Sequence, residues 1–380
     1  MATEINTTAK SIQFPKDGKL KIMHITDTHI DTDNAELTLW LIAQSCKREM
    51  PHIAVITGDN VTNKDDETIT KNHIDRLMSI FEELNIPVAI TFGNHDSETG
   101  AMTREELMAY HNRYACSHSI DDGELLSGCG TYNVPVLSSD GKDIRYNLWI
   151  FDSNDYDKEG HYGCVLKDQV EWYKQESDKI TAQNNGNKVY SLAFQHMIVP
   201  EVYDVLIKTS KRKLYSFSHM YNKKDFYMFD PSQKNFGTFN ETPCCGYENY
   251  GQFDAMVEKG DVLAIFTGHD HTNAFGVKNQ GIDIVNSLST RSNGDRFSTQ
   301  YGYRIIEVDE KDTSVYTSRI ERWYNMFTSK DVKNFKKAGD TFAFKAAKSI
   351  IRKGRIQKFY TKTGRTFTTL VTGRKVTYPD

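Results

Sequence analysis

The chain has 380 residues, of which 38% are hydrophobic and 26% are charged, and its formal net charge is −4, an ordinary composition for a soluble globular protein with a sizeable core. No stretch approaches the roughly 18 consecutive apolar residues that a membrane-spanning helix needs, which excludes a transmembrane segment. The first residues lack the apolar core of a signal peptide, so a cytoplasmic location is the expectation.

Five short apolar segments, each rich in Val, Ile or Phe, are typical of buried strands. In chain order these predicted strands are Leu20–Thr26, Ala54–Thr57, Pro87–Phe92, Val189–Phe194 and Val262–Thr267. Amphipathic segments typical of helices lie between them, namely Ala35–Arg48, Asn72–Leu84, Thr103–Tyr114 and Lys167–Ser177. Strands that alternate with helices in this way predict an α/β sheet.

The second half of the chain contains a long connection and then two further predicted strands. Ile207 to Glu248 is aromatic, polar and irregular, and it is too long for a simple connection. We interpret it as an insertion on the substrate side of the fold. After Ile284, Tyr303–Val308 and Ser314–Ile320 are predicted strands joined by a turn.

Each of the first five predicted strands is followed by residues that can bind a metal or move a proton. These residues are Asp27 and His29, then Asp59, then Asn94, His95 and Asp96, then His196, and finally His269 and His271. Ligands of α/β sheets bind beyond the carboxyl ends of the strands, so we expect these side chains to meet there. Asp27 and His29 are two residues apart, which on an extended segment places both side chains on one face. Carboxylate, amide and imidazole groups suit Mn, Fe, Zn or Ni better than metals that prefer thiolates.

The same residues form motifs that resemble those of the calcineurin-like metallophosphoesterases. The five motifs, in order, are Asp27-Thr28-His29, Gly58-Asp59-Asn60-Val61, Gly93-Asn94-His95-Asp96, the single His196, and Gly268-His269-Asp270-His271. One of these motifs alone would be weak evidence, but the ordered set is highly specific. The resemblance covers the chain from about Leu20 to Arg304. It implies a four-layer α/β/β/α sandwich with two mixed sheets.

The resemblance also implies that seven side chains bind two metal ions. The expected assignment is Asp27, His29 and His271 on one ion, Asn94, His196 and His269 on the other, and Asp59 bridging both. The ions would be divalent or transition metals such as Mn, Fe, Zn or Ni. Such a pair lowers the pKa of a shared water molecule, and the resulting bridging hydroxide would attack phosphorus.

A general acid and a phosphate-binding cation complete the expected machinery. By the resemblance, His95 would protonate the leaving oxygen from outside the metal coordination sphere. Asp96 would either orient His95 or cap a turn. Arg291 could reach a phosphate or form a surface salt bridge. Because the nucleophile would be hydroxide, no Ser or Cys intermediate is required.

Further short motifs are similar to the purple-acid-phosphatase-like branch of fungal and plant phosphatases. They are Tyr162-Gly163, Gln169-Val170-Glu171-Trp172-Tyr173, Asn249-Tyr250-Gly251, Gly260-Asp261-Val262, Gly268 to Asn273, and Tyr301-Gly302-Tyr303-Arg304. One position departs from this branch. True purple acid phosphatases carry a metal-binding Tyr three residues after the bridging Asp, where this chain has Thr62. A purple Fe(III)–tyrosinate centre is therefore not expected.

Three functions follow from these residues. The first is hydrolysis of a phosphate monoester, either a small molecule or a phosphoprotein. The second is phosphodiesterase or nuclease activity on a cyclic nucleotide or nucleic acid, since the same metal ions serve both reactions. The third is a phosphoesterase fold used as a binding scaffold, against which the complete ligand set argues. We expect the residues 207–248 to decide between monoesters and diesters through the shape of the pocket.

The C-terminal part of the chain differs in charge from the rest. Residues 329–380 contain 14 Lys or Arg and 3 Asp or Glu, a net charge of +11, so residues 1–328 carry −15. This asymmetry predicts a catalytic domain over 1–328 and a small basic extension over 329–380. The extension is predicted to hold a helix from Asp340 to about Lys358 and a strand pair over Gln357–Val376. It could dock on the acidic domain, bind nucleic acid or another polyanion, or lie on a membrane surface or partner.

Overall fold

Two β-sheets face each other in the computed structural model of the chain, and helices cover the outer side of each sheet. The described residues are 10–62, 66–98, 100–120, 126–213, 216–230, 232, 236–292, 301–352 and 354–355. The strands are β1 (Ile12–Gln13), β2 (Lys19–Ile25), β3 (Ile53–Thr57), β4 (Val88–Thr91), β5 (Tyr132–Leu137), β6 (Ile144–Ile150), β7 (Ser191–Phe194), β8 (Leu206–Thr209), β9 (Phe217–Ser218), β10 (Phe226–Phe229), β11 (Phe236–Thr238), β12 (Val262–Thr267), β13 (Ala274–Asn279), β14 (Ile282–Asn286), β15 (Gly302–Asp309) and β16 (Asp312–Arg322). The helices are α1 (Ala35–Glu49), α2 (Glu67–Leu84), α3 (Arg104–His111), α4 (Lys167–Gln183), α5 (Gln252–Lys259) and α6 (Ser329–Lys337), with short 3-10 helices at Pro200–Val205 and Trp323–Asn325.

Both large sheets are mixed. The five-stranded sheet has the order β16-β15-β2-β3-β4. In it β2, β3 and β4 are parallel, and β15 pairs antiparallel with β2 on one side and with β16 on the other. The eight-stranded sheet has the order β1-β5-β6-β7-β12-β14-β13-β11, and its strands β6, β7, β12 and β14 are parallel. Ligands of such sheets bind beyond the carboxyl ends of the parallel strands, so a site shared by the two sheets can form there.

Strand β3 shows how the four layers arise from sequence. Its five residues are all buried, as expected for a strand covered on both faces. Ile53 and Val55 lie in the core between the two sheets, which also contains Phe194 and Phe266 of the opposite sheet. Ala54 and Ile56 point the other way, into the core beneath α1 and α2. A third core lies between the eight-stranded sheet and α4 and α5. The expected α/β/β/α sandwich with two mixed sheets is confirmed.

The start of helix α2 and the structure of the predicted insertion differ from the expectation from sequence. Helix α2 begins at Glu67 and not at Asn72, because the Asp66 side chain accepts hydrogen bonds from two backbone N–H groups of the first turn. The described residues of the segment interpreted as irregular contain four short strands, of which β8, β9 and β10 form a small antiparallel sheet. No helix in the described ranges is long and apolar enough to cross a bilayer.

The described part of the basic extension packs against the α1 and α2 side of the sandwich. Residues 341–352 are helical, and Ile350, one of the buried residues on their inner side, belongs to the core beneath α1 and α2. In α6, Phe335 contacts the Trp40 ring edge-on at 5.9 Å between centroids. The strand pair expected over Gln357–Val376 lies outside the described residues. The division into domains and polyanion binding by the extension stay predictions.

Docking of the extension makes a testable prediction about stability. Replacing Ile350, which is 8% exposed, with Asp would put a carboxylate against apolar side chains, so we expect the free energy of unfolding to fall by about 2 kcal/mol or more. Ser349→Asp introduces the same group at an exposed position and should change the free energy of unfolding by less than about 0.5 kcal/mol. Urea unfolding followed by tryptophan fluorescence measures both. Equal effects of the two substitutions would contradict the docking.

Candidate metal centre

The loops that follow β2, β3, β4, β7 and β12 meet at the carboxyl ends of the parallel strands. Among the described residues, two groups of side chains that include Asp59 have potential ligand atoms within 4.8 Å of one another. The first group is Asp27, His29, Asp59 and His271, and the second is Asp59, His196 and His269. Asp59 is common to both groups. The structure thus brings together six of the seven predicted ligands in the two sets that the resemblance implies.

In the first group, nitrogen and oxygen atoms converge on one point. The Nε2 atoms of His29 and His271 are 2.9 Å apart. His271 Nε2 lies 3.4 Å from Asp27 Oδ1, and His29 Nε2 lies 3.4 Å from Asp59 Oδ2. Two imidazoles and two carboxylates facing each other at these distances are a suitable ligand set for a transition metal.

The second group is buried more deeply. His196 Nε2 lies 3.4 Å from Asp59 Oδ2, and both side chains are inaccessible to solvent. The other ring nitrogen, Nδ1, is 2.8 Å from the Thr57 carbonyl oxygen, which fixes the ring and directs Nε2 toward Asp59. The His269 ring is 5.1 Å from the His196 ring between centroids.

Three buried polar atoms at this place have no hydrogen-bond partner in the described part of the chain. They are Asp59 Oδ2, His196 Nε2 and Asn94 Oδ1, the last from the seventh predicted ligand. The amide nitrogen of Asn94 donates to the Tyr156 hydroxyl at 2.7 Å, so its oxygen is the atom left over. Buried polar groups almost always have partners, and a metal ion would supply one to each of these atoms. The residues therefore fit a metal centre.

The backbone of the ligand loops is unusual. Asp27, His29, Asp59 and His269 all have positive φ, from 41° to 67°, a region that residues other than glycine seldom adopt. The expectation that Asp27 and His29 share a face of an extended segment is wrong, because β2 ends at Ile25 and both residues lie in a left-handed loop. Such strain clusters at functional sites, where the surrounding hydrogen bonds maintain it.

Hydrogen bonds between the loops maintain this backbone. The Asp27 N–H donates to the Gly58 carbonyl at 3.0 Å, and the His29 N–H donates to the Asp59 carbonyl at 2.8 Å. The backbone N–H of His269 donates to both carboxylate oxygens of Asp27, at 3.0 Å to Oδ2 and 3.2 Å to Oδ1, and Oδ1 also lies 3.4 Å from His271 Nε2. The loops after β2, β3 and β12 are therefore linked to one another by hydrogen bonds.

The contacts of Asp96 are those of a carboxylate that holds turns together. It accepts hydrogen bonds at 2.8 Å from the backbone N–H groups of Asp59, Asn60 and Gly93. The carboxylate that contacts His95 Nδ1 is that of Glu98. Of the two roles considered for Asp96, the hydrogen bonds match the turn cap, and Glu98 makes the contact with His95.

The pKa values at the centre reflect burial and the close carboxylates. Burial disfavours the charge of His196, but the carboxylates of Asp59 and Asp27 outweigh it and raise the pKa of His196 to about 9. Burial lowers the pKa of His29 to about 4 and that of His269 to about 3. Burial opposes the charge of Asp59 too, yet the neighbouring histidines hold its pKa well below the usual range. Metals bind carboxylates and neutral imidazoles, so protons compete with a metal at His196.

Sequence reasoning missed several residues that complete the centre. Glu98 follows His95 by three residues, and a carboxylate so close to the expected acid was a usable signal. Tyr156, the partner of Asn94, carried no such signal. Neither did Arg104, whose buried guanidinium pairs with Asp152 at 2.6 Å and donates to the Gly93 carbonyl at 2.7 Å. That contact supports the loop in which Asn94 and His95 lie.

The chain is similar to known proteins of one family. Residues 20–273 match the model of the calcineurin-like phosphoesterase family. Probable inactive purple acid phosphatase 14 of Arabidopsis thaliana is 26% identical over 310 residues, which are 72% of this chain and 71% of that protein. Phosphatase DCR2 of Saccharomyces cerevisiae is 22% identical over 354 residues, which are 82% of this chain and 55% of that protein. A dimetal phosphatase structure from Danio rerio covers 76% of this chain and 92% of that chain at 12% identity and a TM-score of 0.47.

The family match covers more than half of the chain and contains the motifs from Asp27 to His271. The plant and yeast relatives confirm the similarity to the purple-acid-phosphatase-like branch. This chain belongs to the calcineurin-like phosphoesterase family.

Proposed function

We propose that this chain hydrolyses phosphate esters at a centre that binds two metal ions, with His95 as the general acid. The proposed ligands are Asp27, His29 and His271 for one ion, Asn94, His196 and His269 for the other, and Asp59 for both. Phosphate monoesters are the favoured substrates. The nitrogen and oxygen donors suit Mn, Fe, Zn or Ni.

One observation carries this proposal. Asp59 Oδ2, Asn94 Oδ1 and His196 Nε2 are buried without hydrogen-bond partners, and each belongs to an expected ligand. An unpartnered buried polar atom costs about 1–3 kcal/mol, and cations bound at this place would supply a partner to all three atoms. The family membership and this geometry support the same conclusion independently.

The chain's own residues would then share the catalytic work. When bound, a pair of cations supplies positive charge that acidifies a water molecule and neutralises the phosphoryl oxygens. Asp59 turns Oδ2 toward both ligand groups, while its Oδ1 accepts the His95 backbone N–H at 2.9 Å. With Nδ1 bonded to Glu98, His95 has Nε2 available to hold the proton for the leaving oxygen.

Arg291 would add positive charge beside the phosphate. It is close enough to His29 and His271 to influence both electrostatically. Its guanidinium donates to the Tyr301 hydroxyl at 2.9 Å, which orients it. A fixed cation of this kind stabilises charge that develops on phosphoryl oxygens.

The names of the two relatives bear on the scaffold alternative. The Arabidopsis relative that is 26% identical is named probable inactive, whereas the yeast relative that is 22% identical is named a phosphatase. The side chains of this chain favour activity. A binding scaffold has no need for seven ligand side chains with three unpartnered atoms, or for a histidine whose Nδ1 contacts a carboxylate.

A paired assay tests the proposed function. The purified chain loaded with Mn²⁺ is offered p-nitrophenyl phosphate and bis-p-nitrophenyl phosphate, which release the same coloured product. We expect metal-dependent turnover with a higher kcat/KM for the monoester. A higher value for the diester would favour the phosphodiesterase alternative, and no turnover of either would favour the scaffold.

A further inference from the structure

Two stacked tyrosines border the second group of metal ligands. The Tyr156 and Tyr162 rings are 5.7 Å apart between centroids at an interplanar angle of 27°. Tyr162 contacts the His269 ring edge-on at 4.4 Å, and the Tyr156 hydroxyl accepts the Asn94 amide at 2.7 Å. Each tyrosine of the pair thus contacts a proposed metal ligand. A backbone bridge between the same two residues holds the hairpin that carries them.

The tyrosine pair lies on the side of the centre where the general acid is proposed. Tyr156 contacts Asn94, the residue that precedes His95 in the chain. The carboxylate of Glu98, which contacts His95, is close enough to influence the Tyr156 hydroxyl electrostatically. The acid must be near the leaving oxygen to protonate it. With His95 as the proposed acid, the leaving group would depart on the side of Tyr156.

Part of this aromatic surface is open to solvent. Tyr156 is 36% exposed although its hydroxyl is bonded to a buried residue. The bond and the stacking on Tyr162 hold the ring in place, so a group that packs on it meets a surface already ordered. Aromatic rings prefer offset-stacked or edge-on contacts with other rings, which are favourable beyond the area they bury.

We propose that Tyr156 and Tyr162 form a platform for a planar ring on the leaving group. The preferred substrates are then phosphate esters of alcohols that carry an aromatic ring. This inference rests on the proposed function, because it assigns the leaving-group side from His95. It adds a substrate class and a specificity-determining residue, Tyr156.

The test compares two esters that differ only in the planarity and aromaticity of the ring. Benzyl phosphate and cyclohexylmethyl phosphate have leaving groups of similar size and acidity, so both depend on the acid to a similar degree. We expect a kcat/KM for benzyl phosphate roughly twofold to tenfold higher, the range of a single aromatic contact. A ratio at or below one would overturn the platform, while turnover of both esters would leave the proposed function standing.

Substitutions at Tyr156 separate its ring from its hydroxyl. Tyr156→Phe keeps the ring and should keep the preference for benzyl phosphate, whereas Tyr156→Leu should reduce the ratio to about one. Tyr250→Leu removes another exposed tyrosine, 43% accessible, and should leave the ratio unchanged. A loss of metal affinity would lower both rates together and would not alter the ratio. An unchanged preference in Tyr156→Leu would overturn the assignment.

Binding of phosphonates tests the platform without turnover. Phenethylphosphonate and cyclohexylethylphosphonate replace the leaving oxygen with carbon and cannot be hydrolysed there. Calorimetric titration of the Mn²⁺-loaded chain should give the tighter dissociation constant for the phenethyl compound, again roughly twofold to tenfold. If no phosphate ester is hydrolysed, p-nitrophenyl phosphate included, the proposed function fails. Equal affinities in this titration would overturn the platform itself.

Discussion

Replacing His95 with alanine is expected to lower turnover by about two to four orders of magnitude, the usual contribution of a positioned general acid. The side chain is 36% exposed, and its backbone N–H, which bonds to Asp59, is retained in the variant. Metal content should therefore remain that of the wild type. Steady-state kinetics together with elemental analysis measures both quantities. A parallel loss of metal would show that His95 acts as a ligand.

The leaving group provides the internal control for this prediction. The p-nitrophenolate ion leaves from its phosphate ester without a proton. The effect of His95→Ala should therefore be smaller on p-nitrophenyl phosphate and remain large on an alkyl ester. Glu98→Gln keeps a hydrogen-bond acceptor at His95 Nδ1 but removes the charge, and it should produce a smaller loss with the same dependence. Equal losses on good and poor leaving groups would rule out His95 as the acid.

Asp59→Asn is expected to weaken the binding of both metal ions by at least about 100-fold. Removing a residue that only supports a ligand costs about 10–100-fold, and Asp59 is proposed to be a ligand of both ions. The variant keeps one side-chain oxygen for the His95 N–H but loses the charge that faces His29 and His196. Calorimetric titration with Mn²⁺ measures the change.

Asp261→Asn is the matched control for this substitution. Asp261 is buried and accepts hydrogen bonds from the hydroxyl groups of Tyr173 and Ser177, just before β12 begins. His269 follows the opposite end of the same strand. The same chemical change there should leave metal affinity as in the wild type. If both substitutions weakened binding alike, the effect of Asp59→Asn would be one of stability and not of ligation.

The sequence predicted the strands and the proposed ligands better than it predicted the geometry between them. Short apolar segments ending in Asp59 or His196 carry a local signal, since buried strands and polar strand ends differ in composition. The left-handed backbone at Asp27 and His29 had no such signal, because hydrogen bonds to Gly58 and Asp59 from another loop impose it. Local patterns do not contain contacts between distant segments.

The same limit applies to the residues around His95 and to the extension. Glu98 was within reach of sequence reasoning because it is local to His95. The contact between Tyr156 and Asn94 joins residues 62 positions apart, and only the fold reveals it. The basic extension was recognised by its charge, whereas the burial of Ile350 against the α1 and α2 side depends on tertiary packing.

Metal stoichiometry is the most direct test of a centre that binds two ions. The chain is loaded with Mn²⁺, freed of excess metal by gel filtration, and analysed by plasma mass spectrometry against protein concentration. Two ions per chain are expected, because two ligand groups share Asp59 and contain unpartnered atoms. Asp261→Asn should also hold two ions, and Asp59→Asn should hold none after filtration. A wild-type value near zero, with a control metalloenzyme retaining its metal, would contradict the proposed metal centre.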